Sequence, residues 1–113
     1  MKRIFKYPLD VVDFQVVNMP KDAELLDVQV QNNGLQLWAL VEPSAEKVDR
    51  VIAIVGTGNP YPEQAEPDRV QGYKGDKPLT TIGTSKKNHI ATVQTHGGAL
   101  VWHVFDLAEV RKD

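Results

Sequence analysis

The sequence predicts an all-β fold: a small single-domain sandwich or partly open barrel of six or seven antiparallel strands with one long loop. Three observations carry this expectation. Residues 88–107 (NHIATVQTHGGALVWHVFDL) hold two apolar runs joined by Gly97 and Gly98. Primed two-residue turns need positive φ, which glycine supplies without steric cost. A second pair of runs, 25–30 and 35–41, flanks Asn32, Asn33 and Gly34, and Asn-Gly is the strongest short-range hairpin marker. Finally, residues 50–55 (RVIAIV) are short and apolar on both faces, as a buried central strand is.

Taking the elements in order, residues 3–7 alternate as a first strand and end at Pro8. A second strand, 13–17, stops before Pro20-Lys21-Asp22, where proline suits a first central turn position. With Asn33 and Gly34 as the loop, the next hairpin pairs Val30 with Leu37, Val28 with Ala39 and Leu26 with Val41 on a core face. Its reverse face holds Asp27, Gln29 and Gln31 opposite Leu40, Trp38 and Gln36. Residues 43–47 allow one helical turn capped by Ser44. From about 57 to 78 the chain is a long loop rich in proline, glycine and charge, with a short strand expected near 79–82. In the closing hairpin, His96 faces Ala99, Gln94 faces Val101, Thr92 faces His103 and Ile90 faces Phe105. The other face, Ala91, Val93, Leu100, Trp102 and Val104, is core. Apolar content on both faces of 50–55 and 101–105 calls for a second sheet or for a homo-oligomer.

Composition sets outer limits. The 113 residues suffice for one domain with its own core, spanning 1–113. Thirteen basic and fifteen acidic side chains give a net charge of −2, so nucleic acid is an unfavoured partner. The absence of cysteine excludes disulfides, thiolate chemistry and Cys-type zinc sites, and suits a reducing cytoplasm. No apolar run approaches the roughly eighteen residues of a membrane span. The opening segment lacks the apolar stretch of a signal peptide.

Several stretches, MKRIFKYPL (1–9), LWALVEP (37–43), GTGNP (56–60), IGT (82–84) and GGALVWHVF (97–105), together resemble a family of short phage and prophage proteins described as a domain of unknown function. The resemblance spans nearly the whole chain and carries no catalytic residues. It implies a phage-encoded accessory protein acting in the host cytoplasm, of the kind that counters a defence system by blocking a host protein or sequestering a nucleotide signal.

Candidate chemistry lies in a few places. Gly56, Thr57, Gly58 and Asn59 follow a buried strand, and successive backbone N–H groups in such a turn can cradle an anion. No P-loop or GxGxxG pattern accompanies them, so a plain turn leaving the sheet is the competing reading. Lys74 and Lys86 add positive charge to neighbouring loops. His89, His96 and His103 are spaced by seven. Odd spacing alternates strand faces, so adjacent members cannot all converge, and a metal site would need Asp or Glu from elsewhere; no HxH or HExxH spacing exists. The spacing of a two-histidine phosphoesterase is missing as well. His103 opposite Thr92 reads as a hydrogen-bonded pair or a ligand contact. Trp38 among glutamines is placed to stack on a base or to enter a dimer interface. Ser44 and Ser85 have no histidine beside them, and no nucleophile–base pair is visible.

The expected function is therefore non-enzymatic: binding of a small phosphorylated, nucleotide-type ligand or a host protein, without cofactor or metal. The ligand-binding candidates are Trp38, Gly56, Thr57, Gly58, Asn59, Lys74, Lys86, Thr92 and His103. The alternatives are a hydrolase of a nucleotide signal and a minor virion component.

Overall fold

A computed structural model describes residues 1–61, 66–77 and 88–110. The described residues form eight strands: β1 (Arg3–Leu9), β2 (Phe14–Pro20), β3 (Glu24–Gln31), β4 (Gly34–Val41), β5 (Lys47–Gly56), β6 (Val70–Gln71), β7 (Asn88–Thr95) and β8 (Leu100–Glu109). They form a three-stranded sheet, β1-β4-β3, and a five-stranded sheet, β6-β2-β5-β8-β7. Among the described residues the sheets do not close into a barrel. All pairings are antiparallel except that of β2 with the two-residue β6, which is parallel. The expectation of six or seven antiparallel strands misses β6, which is too short to show a period of its own. Residues 43–47 turn without becoming helical, and the strand expected near 79–82 lies outside the described residues.

The two sheets share one core. Leu35, Leu37, Ala39 and Val41 of β4 and Val28 of β3 meet Ile52 and Ile54 of β5, Ala91 and Val93 of β7, and Val104 of β8. The opposite face of β5, Val51 and Ala53, joins Phe14, Leu107 and Val70 in a second cluster, with Tyr73 and Phe105 against it. The double-sided apolar character of RVIAIV thus has an intramolecular cause. Inside, β5 faces the other sheet; outside, it is covered by the chain around β6. The supposed long loop contributes Val70, 3% exposed, to that second cluster.

Both predicted hairpins form, with corrections. The β3–β4 turn uses Asn32 and Asn33 at φ of 53° and 65°, not Asn33 and Gly34. Val30 pairs with Leu35 and Val28 with Leu37, two residues away from the expected register. A two-residue shift leaves every side chain on its expected face. A bulge between Leu25 and Asp27 then turns Leu26 out of the core, where it is 40% exposed. The β7–β8 turn has Gly97 and Gly98 at φ of 67° and 93°, closed by the Ala99 N–H donating to the His96 carbonyl at 3.2 Å. Gln94 faces Val101 and Thr92 faces His103 as expected, but a bulge between His89 and Ala91 places His89, not Ile90, opposite Phe105. Leu100 starts β8 beside the turn and is exposed rather than core.

One polar pair ties the inner face together. Arg50 Nε and Nη2 donate to Asp106 Oδ1 and Oδ2 at 2.9 and 2.7 Å, and Nη1 donates to the Ala23 carbonyl at 2.9 Å. Burial works against the charged guanidinium. The hydrogen bonds and charge of Asp106, with Glu109 and Asp22 nearby, nevertheless raise its pKa above the ordinary arginine value.

Candidate functional site

The turn after β5 is set by two glycines doing different things. At Gly56 a Cβ would lie 2.9 Å from Asn59 Nδ2 and 3.2 Å from the Trp102 ring, so any side chain there makes Asn59 and the ring move. At Gly58 nothing stands within 4 Å of such a Cβ, but φ is +89°, a conformation costly for other residues. The turn is closed by the Asn59 N–H donating to the Gly56 carbonyl at 3.0 Å, while the Thr57 N–H donates to the Val101 carbonyl at 3.2 Å. Two of the N–H groups expected to cradle an anion are therefore already used. What the turn does hold in place is the Thr57 side chain.

Thr57 Oγ1 lies 2.7 Å from His103 Nε2. The other nitrogen of His103, Nδ1, lies 3.0 Å from Thr92 Oγ1, which lies 2.9 Å from His89 Nε2. Two threonines and two histidines thus form one hydrogen-bonded chain from the turn after β5 across β8 to β7. The bulge at Ile90 makes this possible. On a regular strand His89 and Thr92 would point to opposite faces; the bulge brings His89 and His103, which are not adjacent members of the spacing, to one hydroxyl. The three do not all converge, as expected, because His96 sits in the turn and contacts Thr95 Oγ1. The hydroxyl–imidazole pairing absent from the serines is present at Thr57.

Aromatic rings flank the chain. Tyr61 meets Phe105 edge-on at 5.3 Å between centroids, and His89 meets the same ring at 5.4 Å. Thr57, Tyr61, His103 and Phe105 line a recess of about 180 Å3. Two larger recesses, of about 430 and 450 Å3, adjoin it through Asn59.

Of the sequence-derived candidates, Gly56, Thr57, Gly58, Asn59, Thr92 and His103 come together here. Trp38 does not. It pairs between Lys6 and Asp27 on the outer face of the three-stranded sheet, whereas His103 belongs to the other sheet. Lys74 follows β6, at the opposite edge of the five-stranded sheet from β7. Lys86 lies outside the described residues. His89, Tyr61 and Phe105 were not among the candidates. Tyr61 stands two residues beyond Asn59, which is the one sequence signal for it, and no signal foretells the bulge that delivers His89. Among the described residues no three His, Cys, Asp or Glu side chains cluster as metal ligands, and no helix is long and apolar enough to cross a membrane.

No curated protein and no solved structure matches this chain. A family model does match, over residues 1–113, and the chain belongs to that family, a domain of unknown function designated DUF7352.

Proposed function

We propose that the protein is a non-enzymatic binding protein that holds a small phosphorylated, nucleotide-type ligand on the outer face of its five-stranded sheet. The observation that carries this reading is the Thr57–His103–Thr92–His89 chain beside the Tyr61–Phe105 rings. Hydroxyls and imidazoles both donate to phosphate oxygens, and aromatic edges and faces accept a base. The Gly56–Asn59 bond fixes the turn, so the polar groups are positioned before the ligand arrives, which lowers the cost of binding. Resemblance to phage proteins extends the proposal to an accessory role in the host cytoplasm against a defence system. The test is incubation with labelled nucleotides followed by denaturation. A sponge returns its ligand intact, and failure of every nucleotide to bind overturns the reading, leaving a host protein as the partner to seek.

A hydrolase is the second reading, favoured by the 2.7 Å contact between Thr57 Oγ1 and His103 Nε2. That is the spacing of a nucleophile and its base. Among the described residues, however, the group orienting His103 Nδ1 is a hydroxyl and not a carboxylate, and the Thr57 N–H is bonded to Val101. Product appearing in the same incubation decides for the enzyme. Detection of the protein in purified particles decides for a virion component.

Self-association is retained as a proposal, on different ground. The β5 face is covered by Val70 and Tyr73, so the candidate contact is the outer face of the three-stranded sheet, with Trp38, Leu40 and the 61%-exposed Ile4. A mass near 12.6 kDa by light scattering at micromolar concentration overturns it.

A further inference from the structure

A recess of about 430 Å3 opens between the start of β2, the end of β5 and the 3-10 turn Pro67–Arg69 that precedes β6. It shares Val55 and Asn59 with the smaller recess at His103. Its floor is apolar: Phe14 and Ile54 are buried and Val55 is half-buried, with Pro60 at the rim. Its charged members are Asp13 and Arg69. The backbone of each is used, the Asp13 carbonyl accepting from the Ile54 N–H and the Arg69 N–H donating to the Glu66 carbonyl. Among the described residues neither the carboxylate nor the guanidinium makes a hydrogen bond or ion pair.

Size separates the two recesses. Sites for small molecules run from roughly 300 to 1,000 Å3. At about 180 Å3 the His103 recess holds a phosphoryl group or one ring edge, whereas about 430 Å3 accepts a bicyclic base. A ligand crossing Asn59 occupies both.

We infer that the recess of Asp13 and Arg69 receives the base of the ligand, and that the base it fits is guanine. The inference rests on the reading that a nucleotide-type ligand binds at His103, and it adds the identity of the base. A carboxylate only accepts hydrogen bonds and a guanidinium only donates them. The occupant therefore presents donors to Asp13 and acceptors to Arg69 around a flat apolar body. Guanine carries N1–H and the 2-amino group side by side, two donors matched to the two oxygens of one carboxylate. Its O6 and N7 form the acceptor pair that arginine reads with two bonds. Adenine offers a single amino group, uracil a single ring N–H, and cytosine an amino group beside an acceptor nitrogen. None of these fills both oxygens of Asp13 while serving Arg69.

The test is calorimetric titration of the full chain with guanosine, adenosine and cytidine monophosphates and with inorganic phosphate. Guanosine monophosphate is expected to bind roughly tenfold or more tightly than the other two, the discrimination one bidentate pair provides. Asp13→Asn should bring it down to the adenosine level. Arg69→Gln should weaken the guanine ligand by a similar factor. Both side chains are exposed, so melting temperatures serve as the control for folding. Equal affinity for all three bases, or a folded Asp13→Asn protein that keeps its guanine preference, overturns the inference. If His103→Ala still abolishes binding in that case, the site at His103 stands and only the base recess falls. If no nucleotide binds the wild-type protein, both fall together.

Discussion

Thr57 Oγ1 and His103 Nε2 stand 2.7 Å apart although 46 residues separate them in the chain. The contact ties the turn after β5 to the middle of β8, where the Thr57 N–H already donates to the Val101 carbonyl at 3.2 Å. It also orders the protons. If Thr57 donates to Nε2, His103 carries its proton on Nδ1 and donates to Thr92, and Thr92 donates to His89. Reversing all three bonds satisfies every group equally well. The chain has two complete proton arrangements, so a ligand oxygen at either end can be offered a donor without leaving a member unpaired.

Loss of one of these bonds should barely affect folding. The bonds are near the surface, and each contributes on the order of 0.5–1.5 kcal/mol. Thr57→Val, which removes one of these bonds, is expected to lower the melting temperature by a few degrees at most. A fall of ten degrees or more in a thermal scan would assign the chain a structural role instead.

Trp102 should behave differently from its neighbour. It packs against the main core, lies against Gly56, and its Nε1–H donates to Thr95 Oγ1 at 3.0 Å. Trp102→Ala should cost roughly 3 kcal/mol, the lower end for large aromatics because the ring is only part-buried. Denaturant titration showing a smaller loss than for His103→Ala would contradict this assignment of the faces of β8.

At the inner face, Arg50→Met leaves the Asp106 carboxylate buried without its partner, an arrangement that typically costs about 3–5 kcal/mol. Replacing both, Arg50→Met with Asp106→Leu, should recover a large part of that loss, since the double variant removes the unpaired charge. The Ala23 carbonyl and the Ala108 N–H, which also use this pair, keep the recovery from being complete. A double variant no more stable than the single one would show that those two backbone bonds dominate.

The two glycines of the turn should separate on substitution. Gly58→Ala meets no neighbour and should lose about 1 kcal/mol to its positive φ, or about 4 °C for a domain of this size. The β-branched Gly58→Val should lose more and should abolish ligand binding. Gly56→Ala forces Asn59 and the Trp102 ring aside, so binding at Asn59 should fall even where the protein still melts cooperatively. Equal binding by Gly56→Ala and the wild type would remove Asn59 from the site.

How much was legible in the sequence follows from what each signal encodes. Alternation assigns faces, and the faces of β3, β4, β7 and β8 came out largely as expected. Register is a different matter. Asn32-Asn33 and Asn33-Gly34 both accept positive φ, and the two-residue shift between those turns leaves the apolar pattern unchanged, so nothing local distinguishes them. Bulges are set by partners distant in sequence. The one at Ile90 brings His89 to Thr92, and the one at Leu26 exchanges Leu25 for Leu26 in the core, with no local mark of either. Val70 and Tyr73 were hidden for another reason: a two-residue strand in a segment rich in proline and charge has no period to read. The turn at Gly56 and the Thr92–His103 pair were readable because both depend on short-range geometry.

Whether His103 holds the ligand is decided by the affinity of wild-type and His103→Ala protein for a nucleotide, measured by calorimetry at fixed pH and salt, with folding checked by thermal melting. Saturable binding by the wild type, with recovery of the intact nucleotide and a loss of at least about tenfold in His103→Ala, is the predicted result, since a hydrogen bond to a charged group contributes roughly 1.5–3 kcal/mol. A folded His103→Ala protein that binds the nucleotide as tightly as the wild type would contradict it.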